Sequence, residues 1–409
     1  MLTYVYTARD SKSGHKIKAE VQAQSQSAAA KLLKDRGLVP LDIKEQTAGK
    51  VAGQSFFNRI PGKEKVIFSR QLSTLINAGL PIVQSLQNVA AQTTNKNFQR
   101  IIGHVIADVE AGTSLADSLA KHPKVFNRVY VSLVAAGETS GTLDKSLERL
   151  ANQQEKDAEI ISKVRGAMIY PAIVLLVMMG VVVFMLTTVL PQVQNLYNGL
   201  PGVKLPFITR ILLSVSHFII HFWWVMLVIV GVLIFLTTRW ARTGSGKDVI
   251  DSLKMKMWPV GQLFQKLYMA RFSRTGATLV GSGVPLLQML SITAEAVNNV
   301  HVANSINKAS EQVKGGAALS DSLAGDPNFT DLVPNMIRIG EESGQLETML
   351  GKSADYYEKQ VDEQIKNIST LVEPVLMILI GIMAFTIVAA VLLPIYSLVG
   401  HIGVNGTGV

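Results

Sequence analysis

The 409-residue sequence contains no cysteine. That absence excludes a disulfide scaffold, a thiolate zinc site, an iron–sulfur cluster and a cysteine nucleophile. Charge is scarce as well: 17% of residues are charged against 48% hydrophobic, and the mean hydropathy is +0.29. These values argue against a purely soluble chain. The signatures of common catalytic sites are also missing, since no HExxH, nucleophile elbow or Rossmann glycine pattern occurs. Gly244-Ser245-Gly246-Lys247 ends like a phosphate-binding loop, but Ala241 and Asp248 stand where glycine and Ser/Thr are required. His217 and His221 share a helical spacing suited to a metal, with no third ligand evident nearby.

Charge is absent in blocks. None occurs from Gly166 to Val203 or from Ile211 to Thr238, and after Lys366 only Glu373 remains. A membrane-spanning helix needs about 20 mainly apolar residues, and each window holds one. Spans are expected at Pro171–Leu190, Phe222–Thr238 and Pro374–Leu398. Trp223, Trp224 and Trp240 frame the second as aromatic belts would. Of 39 basic residues, Lys204 and Arg210 lie between the first two windows and none lies after Val399, leaving 37 elsewhere. The positive-inside rule then puts the N-terminus and the region between the second and third spans in the cytoplasm, and the C-terminus outside. The formal charge of +9 is therefore a topology signal and no footprint of nucleic acid. Met1–Asp10 lacks an apolar signal-peptide core, so no cleavage is expected.

An internal repeat organises the rest. Phe68-Ser69-Arg70 recurs as Phe272-Ser273-Arg274, and Gly79-Leu80-Pro81 as Gly283-Val284-Pro285. Asp117-Ser118-Leu119-Ala120 recurs as Asp321-Ser322-Leu323-Ala324. One residue is then lost. Gly137-Glu138, Ser140-Gly141 and Leu143 recur as Gly340-Glu341, Ser343-Gly344 and Leu346, and Pro171 matches Pro374. Each copy is a cytoplasmic helical domain followed by one outgoing span, and the unrepeated second span returns the chain. Apolar residues at i, i+4, i+7 and i+8 mark the helices, about six per copy. The last helix of the first copy runs from near Thr142 into the membrane, about 73 Å if unbroken to Leu190. Pro171 and Pro374 are expected to kink it and its counterpart at the membrane surface. Ser114 and Asp117 fit a capping box.

The N-terminal segment differs. Tyr4, Tyr6 and Ala8 alternate, as do Ile17, Ala19 and Val21, around a turn at Asp10–Gly14. Ser25–Arg36 reads as a helix and Leu38–Ile43 as a strand. The expected class is thus mainly α: a polytopic membrane protein with three transmembrane helices, two repeated cytoplasmic helical bundles and a small N-terminal α/β module. The module covers 1–45, a linker 46–62, the first bundle 63–168 and the first span 169–190. An extracytoplasmic loop with an interfacial helix covers 191–221, and the second span 222–240. The second bundle covers 241–372, the third span 373–398 and an extracytoplasmic tail 399–409.

The densest repeated signal is Gly-Glu-x-Ser-Gly, at Gly137, Glu138, Ser140 and Gly141 and again at Gly340, Glu341, Ser343 and Gly344. As a turn, its glycines end a helix and its serine caps the next. That leaves the glutamates unexplained: such an acid could bind a partner's cation, a metal or a backbone amine. Phe-Ser-Arg reads as core plus a solvated arginine.

Together these features resemble the type II secretion F / type IV pilus platform family, and the resemblance covers nearly the whole chain. It implies a non-enzymatic platform in the cytoplasmic membrane that oligomerises and contacts a hexameric assembly or retraction ATPase. It also implies contact with pilin or pseudopilin transmembrane helices and with other inner-membrane assembly proteins, all within the lipid bilayer. Some relatives are thought to hold a divalent cation near the motif glutamate, for which Glu138, Asp144, Glu341 and Glu347 are the candidates here. No other cofactor is implied. A type II secretion platform is the near alternative. A small-solute transporter is the remote one, poorly matched to spans lacking ionisable groups.

Overall fold

The structure, a computed structural model, describes residues 2–10, 16–23, 28, 30, 32, 33, 38–45, 60–198, 207–241 and 243–405. The expected turn at Asp10–Gly14 beyond Asp10, the linker before Ile60, the loop at 199–206 and the tail beyond Asn405 lie outside the described residues.

Three strands open the chain: β1 (Leu2–Asp10), β2 (Lys16–Ala23) and β3 (Leu38–Glu45). They form an antiparallel sheet in the order β2-β1-β3. Pro40 falls on the edge strand, where a missing N–H is tolerated, beside the register shift at Thr7/Ala8. Ala28, Ala30, Leu32 and Leu33 are helical.

The chain divides into two compact units, Met1–Glu159 with Tyr268–Tyr357, and Ile160–Leu267 with Glu358–Val409. The first unit holds most of both repeated bundles. In the first copy α1 (Gly62–Asn77), α2 (Ile82–Gln92), α3 (Lys96–Glu110), α4 (Leu115–Ala120) and α5 (Arg128–Ser140) precede the long α6 (Leu143–Phe184). Side-chain caps start several of them: Asn95 accepts from Phe98 N–H, Ser114 from Asp117 N–H and Asn127 from Tyr130 N–H. Asp117 accepts the Ser114 hydroxyl at 2.8 Å. Phe68, Phe98, Phe126 and Tyr130 are almost wholly buried and form one aromatic core, with Phe68 and Phe98 centroids 5.2 Å apart and Phe126 and Tyr130 4.9 Å apart. Burying each ring is worth about 1.5–3 kcal/mol.

The second copy repeats the order with α10 (Val260–Gly281), α11 (Leu286–Val297), α12 (Val300–Lys314), α13 (Leu319–Leu323), α14 (Leu332–Ser343) and α15 (Leu346–Asn405). Phe272 packs edge-on against Phe329 at 5.1 Å, the counterparts of Phe68 and Phe126. Asn299 caps α12 as Asn95 caps α3, while Ala318 leaves α13 without a side-chain cap.

The second unit contains the apolar helices. Three helices, Leu143–Asn195, Thr209–Trp240 and Leu346–Leu393, are long and apolar enough to cross a membrane. α6 and α15 run on as helices past Pro171 and Pro374. Regular α geometry is lost further on, at a π-helical turn over Met185–Val189 that leads into α7 (Leu190–Asn198). There the Leu190 N–H donates to the Met185 carbonyl five residues back, and the buried Ser216 hydroxyl donates to the Leu186 carbonyl. Ser216 sits on α8 (Phe207–Trp240), which is interrupted at Phe222, with φ −115° and ψ 19°. That residue is where the interfacial helix and second span were expected to meet. Leu186, Leu190, Leu213 and Ala390 form a small buried cluster from all three apolar helices. A second cluster joins Ile160, Leu263, Val361 and Ile365, next to an ion pair between Lys163 and Asp362 at 2.6 Å. α9 (Gly244–Lys256) follows α8 directly. α15 stays helical seven residues past the expected span end, to Asn405.

Candidate functional site

The two Gly-Glu-x-Ser-Gly corners have the same construction. Gly141 and Gly344 end α5 and α14 in the left-handed region, with φ 69° and 67°, where a side chain is strained. Gly137 and Gly340 answer a different need. A Cβ on Gly137 would lie 2.8 Å from the Ser146 Cβ, and one on Gly340 2.9 Å from the Leu346 Cα. Each glycine lets the outgoing long helix fold back onto the preceding one at backbone distance. Neither serine caps the following helix, contrary to the turn reading. Ser140 donates to the Ala136 carbonyl at 2.7 Å and Ser343 to the Ile339 carbonyl at 2.6 Å, each one turn back.

The glutamates take backbone amides. Glu138 accepts from Leu115 N–H at 2.6 Å and Ala116 N–H at 2.8 Å. Glu341 accepts from Leu319 N–H at 2.7 Å and Ser320 N–H at 3.2 Å. Each carboxylate thereby satisfies the free donors at the start of a short helix, α4 or α13, and faces the positive end of its dipole. In the second copy, where Ala318 offers no side-chain cap, Glu341 is the side chain that serves these donors.

The cation candidates do not assemble into a ligand set. Among the described residues no group of three or more His, Asp or Glu is placed to hold a metal ion. Both oxygens of Glu138 and of Glu341 are used by amides, Glu347 pairs with Arg149 at 2.9 Å, and Asp144 sits in the first turn of α6. These residues do not fit a resident divalent ion.

Phe-Ser-Arg works as a clamp between the first and last helices of each bundle. Phe68 and Phe272 are core, and Ser69 and Ser273 are fully buried. Ser69 donates to the Lys65 carbonyl at 2.9 Å, whereas Ser273 meets Ser353 at 3.0 Å. The arginines are bound, not simply solvated. Arg70 holds Glu155 and Asn152, and Arg274 holds Asp355, the counterpart of Asn152. The Glu155 hydrogen bond raises Arg70 and lowers Glu155 from their ordinary pKa values, against a smaller opposing effect of burial. Half-exposed pairs of this kind contribute little stability each.

The repeat pattern did not reveal how the two copies meet inside the first unit. Arg149 of α6 pairs with Glu347 of α15, Arg128 with Glu295 at 2.5 Å, and the buried Gln153 amide donates to Thr275 at 2.9 Å. Arg149, Gln153, Lys156, Thr278, Glu347 and Asp355 line a cleft of about 680 Å³ along this seam. Arg149 Nη1 and Gln153 Oε1 are buried there without a partner. Shared motifs could not flag these residues, because Lys352 and Tyr356 occupy the matching positions of the second copy. The signal would have been that difference between copies.

Tandem helical bundles, each continuous with an apolar helix long enough to span a bilayer, define a repeat-built, multi-pass membrane protein. The family described as type II secretion system (T2SS), protein F, matches residues 68–191 and 272–394. The description type II secretion system protein F, N-terminal domain, matches residues 1–44. The chain belongs to this family. The two matched segments begin 204 residues apart (272 − 68) and end 203 apart (394 − 191), reproducing the repeat and its one-residue loss. The chain is 40% identical to the type IV pilus assembly protein PilC of Thermus thermophilus, covering 99% of this chain and all of that one. It is 36% identical to the PilC of Myxococcus xanthus, over 96% and 94% of the two chains. It is 34% identical to the type II secretion system protein F of Pseudomonas aeruginosa, over 97% and 99%.

Proposed function

We propose that the protein is the inner-membrane platform of a type IV pilus assembly machine. The full-length 40% identity to a pilus assembly protein carries this reading. In it the chain performs no chemistry. It couples the motion of a cytoplasmic assembly or retraction ATPase to the insertion or extraction of pilin helices in the bilayer, as a homo-oligomer alongside other inner-membrane assembly proteins. The bundles and the N-terminus face the cytoplasm and the C-terminus faces outward, a reading supported by the 37 of 39 basic residues outside the first inter-span loop. The sheet β1–β3 with helical residues between Ala28 and Leu33 serves as a small α/β docking module. Long helices running from each bundle toward the bilayer suit a part that transmits movement.

Deleting the gene should abolish pili while the purified ATPase keeps its turnover; normal piliation in the deletion strain would refute the proposal. The 34% identity to a secretion protein of the same length favours a second reading, the platform of a type II secretion pseudopilus. On that reading the deletion strain keeps its pili and loses exported proteins from the medium.

A further inference from the structure

α9 has a built-in position that neither the repeat nor the family match explains. It starts four residues after Trp240, the end of the second apolar helix. The loop residue Thr243 fixes the corner, its hydroxyl oxygen accepting from Gly246 N–H at 3.3 Å. Gly246 completes it, since a Cβ there would lie 2.0 Å from the Trp240 carbonyl oxygen. The glycine-rich stretch that ends like a phosphate loop is therefore the joint that seats α9 tightly against the last turn of α8.

Seated this way, α9 buries Gly246 and Asp251 and turns an apolar stripe outward. Val249, Leu253 and Met257, at i, i+4 and i+8, are 53%, 58% and 47% exposed. Trp258 follows at 79%, the most exposed large hydrophobic side chain among the described residues. Lys247 and Lys256 are exposed on the same short helix, while Lys254 is paired with the buried Asp251 at 2.9 Å. An apolar stripe, a tryptophan and flanking lysines are the features of a helix lying in the headgroup layer. Continuity with a span four residues away puts that layer within reach, and the lysines suit anionic headgroups.

We propose that α9 and Trp258 lie in the lipid interface of the membrane that α8 crosses, with Val249, Leu253, Met257 and Trp258 in the acyl boundary and Lys247 and Lys256 on anionic headgroups. This rests on the reading of α8 as a span with its Trp240 end on the cytoplasmic side. It gives the second crossing a lipid-anchored exit on the side where the machine is driven.

The cysteine-free chain allows a direct test with one introduced thiol at a time. The full-length protein carrying Leu253→Cys, labelled with an environment-sensitive fluorophore, is reconstituted in phosphatidylcholine vesicles containing doxyl-labelled lipid. Quenching roughly half as strong as at Leu227→Cys in the span is expected, matching a depth of about 5–10 Å. It should strengthen when roughly a third of the lipid is phosphatidylserine, and Lys247→Glu with Lys256→Glu should remove that increase. Quenching at Leu227→Cys but none at Leu253→Cys overturns the proposal, and a blue-shifted yet unquenched label assigns the stripe to a protein neighbour instead. Quenching at neither position overturns the span reading itself. Sidedness is read separately: labelling of the exposed Lys308→Cys by an impermeant maleimide in intact cells would overturn the orientation alone.

Discussion

Glu138 and Glu341 illustrate how one carboxylate can stand in for a helix cap. Removing either leaves two amides of a short helix without their charged partner, at a cost of about 1–3 kcal/mol. Glu138→Ala with Glu341→Ala should therefore lower the thermal midpoint, and cellular abundance and pili should fall in parallel. Full abundance with lost pili would instead make the glutamates a contact surface. The same geometry predicts that a chelator leaves the unfolding midpoint of the purified protein unchanged; a drop on chelation, reversed by calcium or magnesium, would contradict it. His122 offers a pH test. Burial lowers its pKa, helped by His104, whose ring centroid is 5.9 Å away, and by Lys121, while Asp108 opposes them. Below about pH 6.5 the unfolded chain takes up a proton that the folded bundle resists. Stability should thus decline as pH falls through that value, and His122→Gln should flatten the decline measured by denaturant titration.

At the scale of elements, sequence and structure agree where the pattern is periodic or punctuated. The apolar repeat of Phe68, Leu72 and Leu75 places α1, and Gly141 and Gly344 end their helices in both copies because the left-handed turn admits few other residues. What stayed hidden was contact of a side chain with distant main-chain groups. The partners of Glu138 are amides 22 and 23 residues upstream, and an amide carries no residue identity. The π-turn was equally invisible, since Met185-Leu186-Thr187-Thr188-Val189 has the composition of any apolar helix. The wider turn lies 14 residues beyond Pro171, where Ser216 can reach the Leu186 carbonyl. Inside a bilayer such a bond is worth roughly 0.6 kcal/mol. Ser216→Ala should therefore lower resistance to denaturation in detergent only slightly. A loss several times larger would mean that the hydroxyl holds the π-turn open.

At the scale of the molecule, the repeat was legible and the difference between its copies was not. Matching motifs gave two bundles and charge-free windows gave three apolar helices, but the seam depends on unlike residues, with Gln153 opposite Thr275 and Arg149 opposite Glu347. Two copies of one bundle on one chain thus present different surfaces. The passages between the two compact units have their own consequence. They fall at Glu159/Ile160, Leu267/Tyr268 and Tyr357/Glu358, inside α6, α10 and α15. Proteases nick exposed, pliable segments and spare regular helices. Brief digestion of the native protein should yield no fragment ending near these three positions, and the pieces it does yield should copurify until denatured. Among the described residues, all three points where the chain passes from one unit to the other lie within unbroken helix.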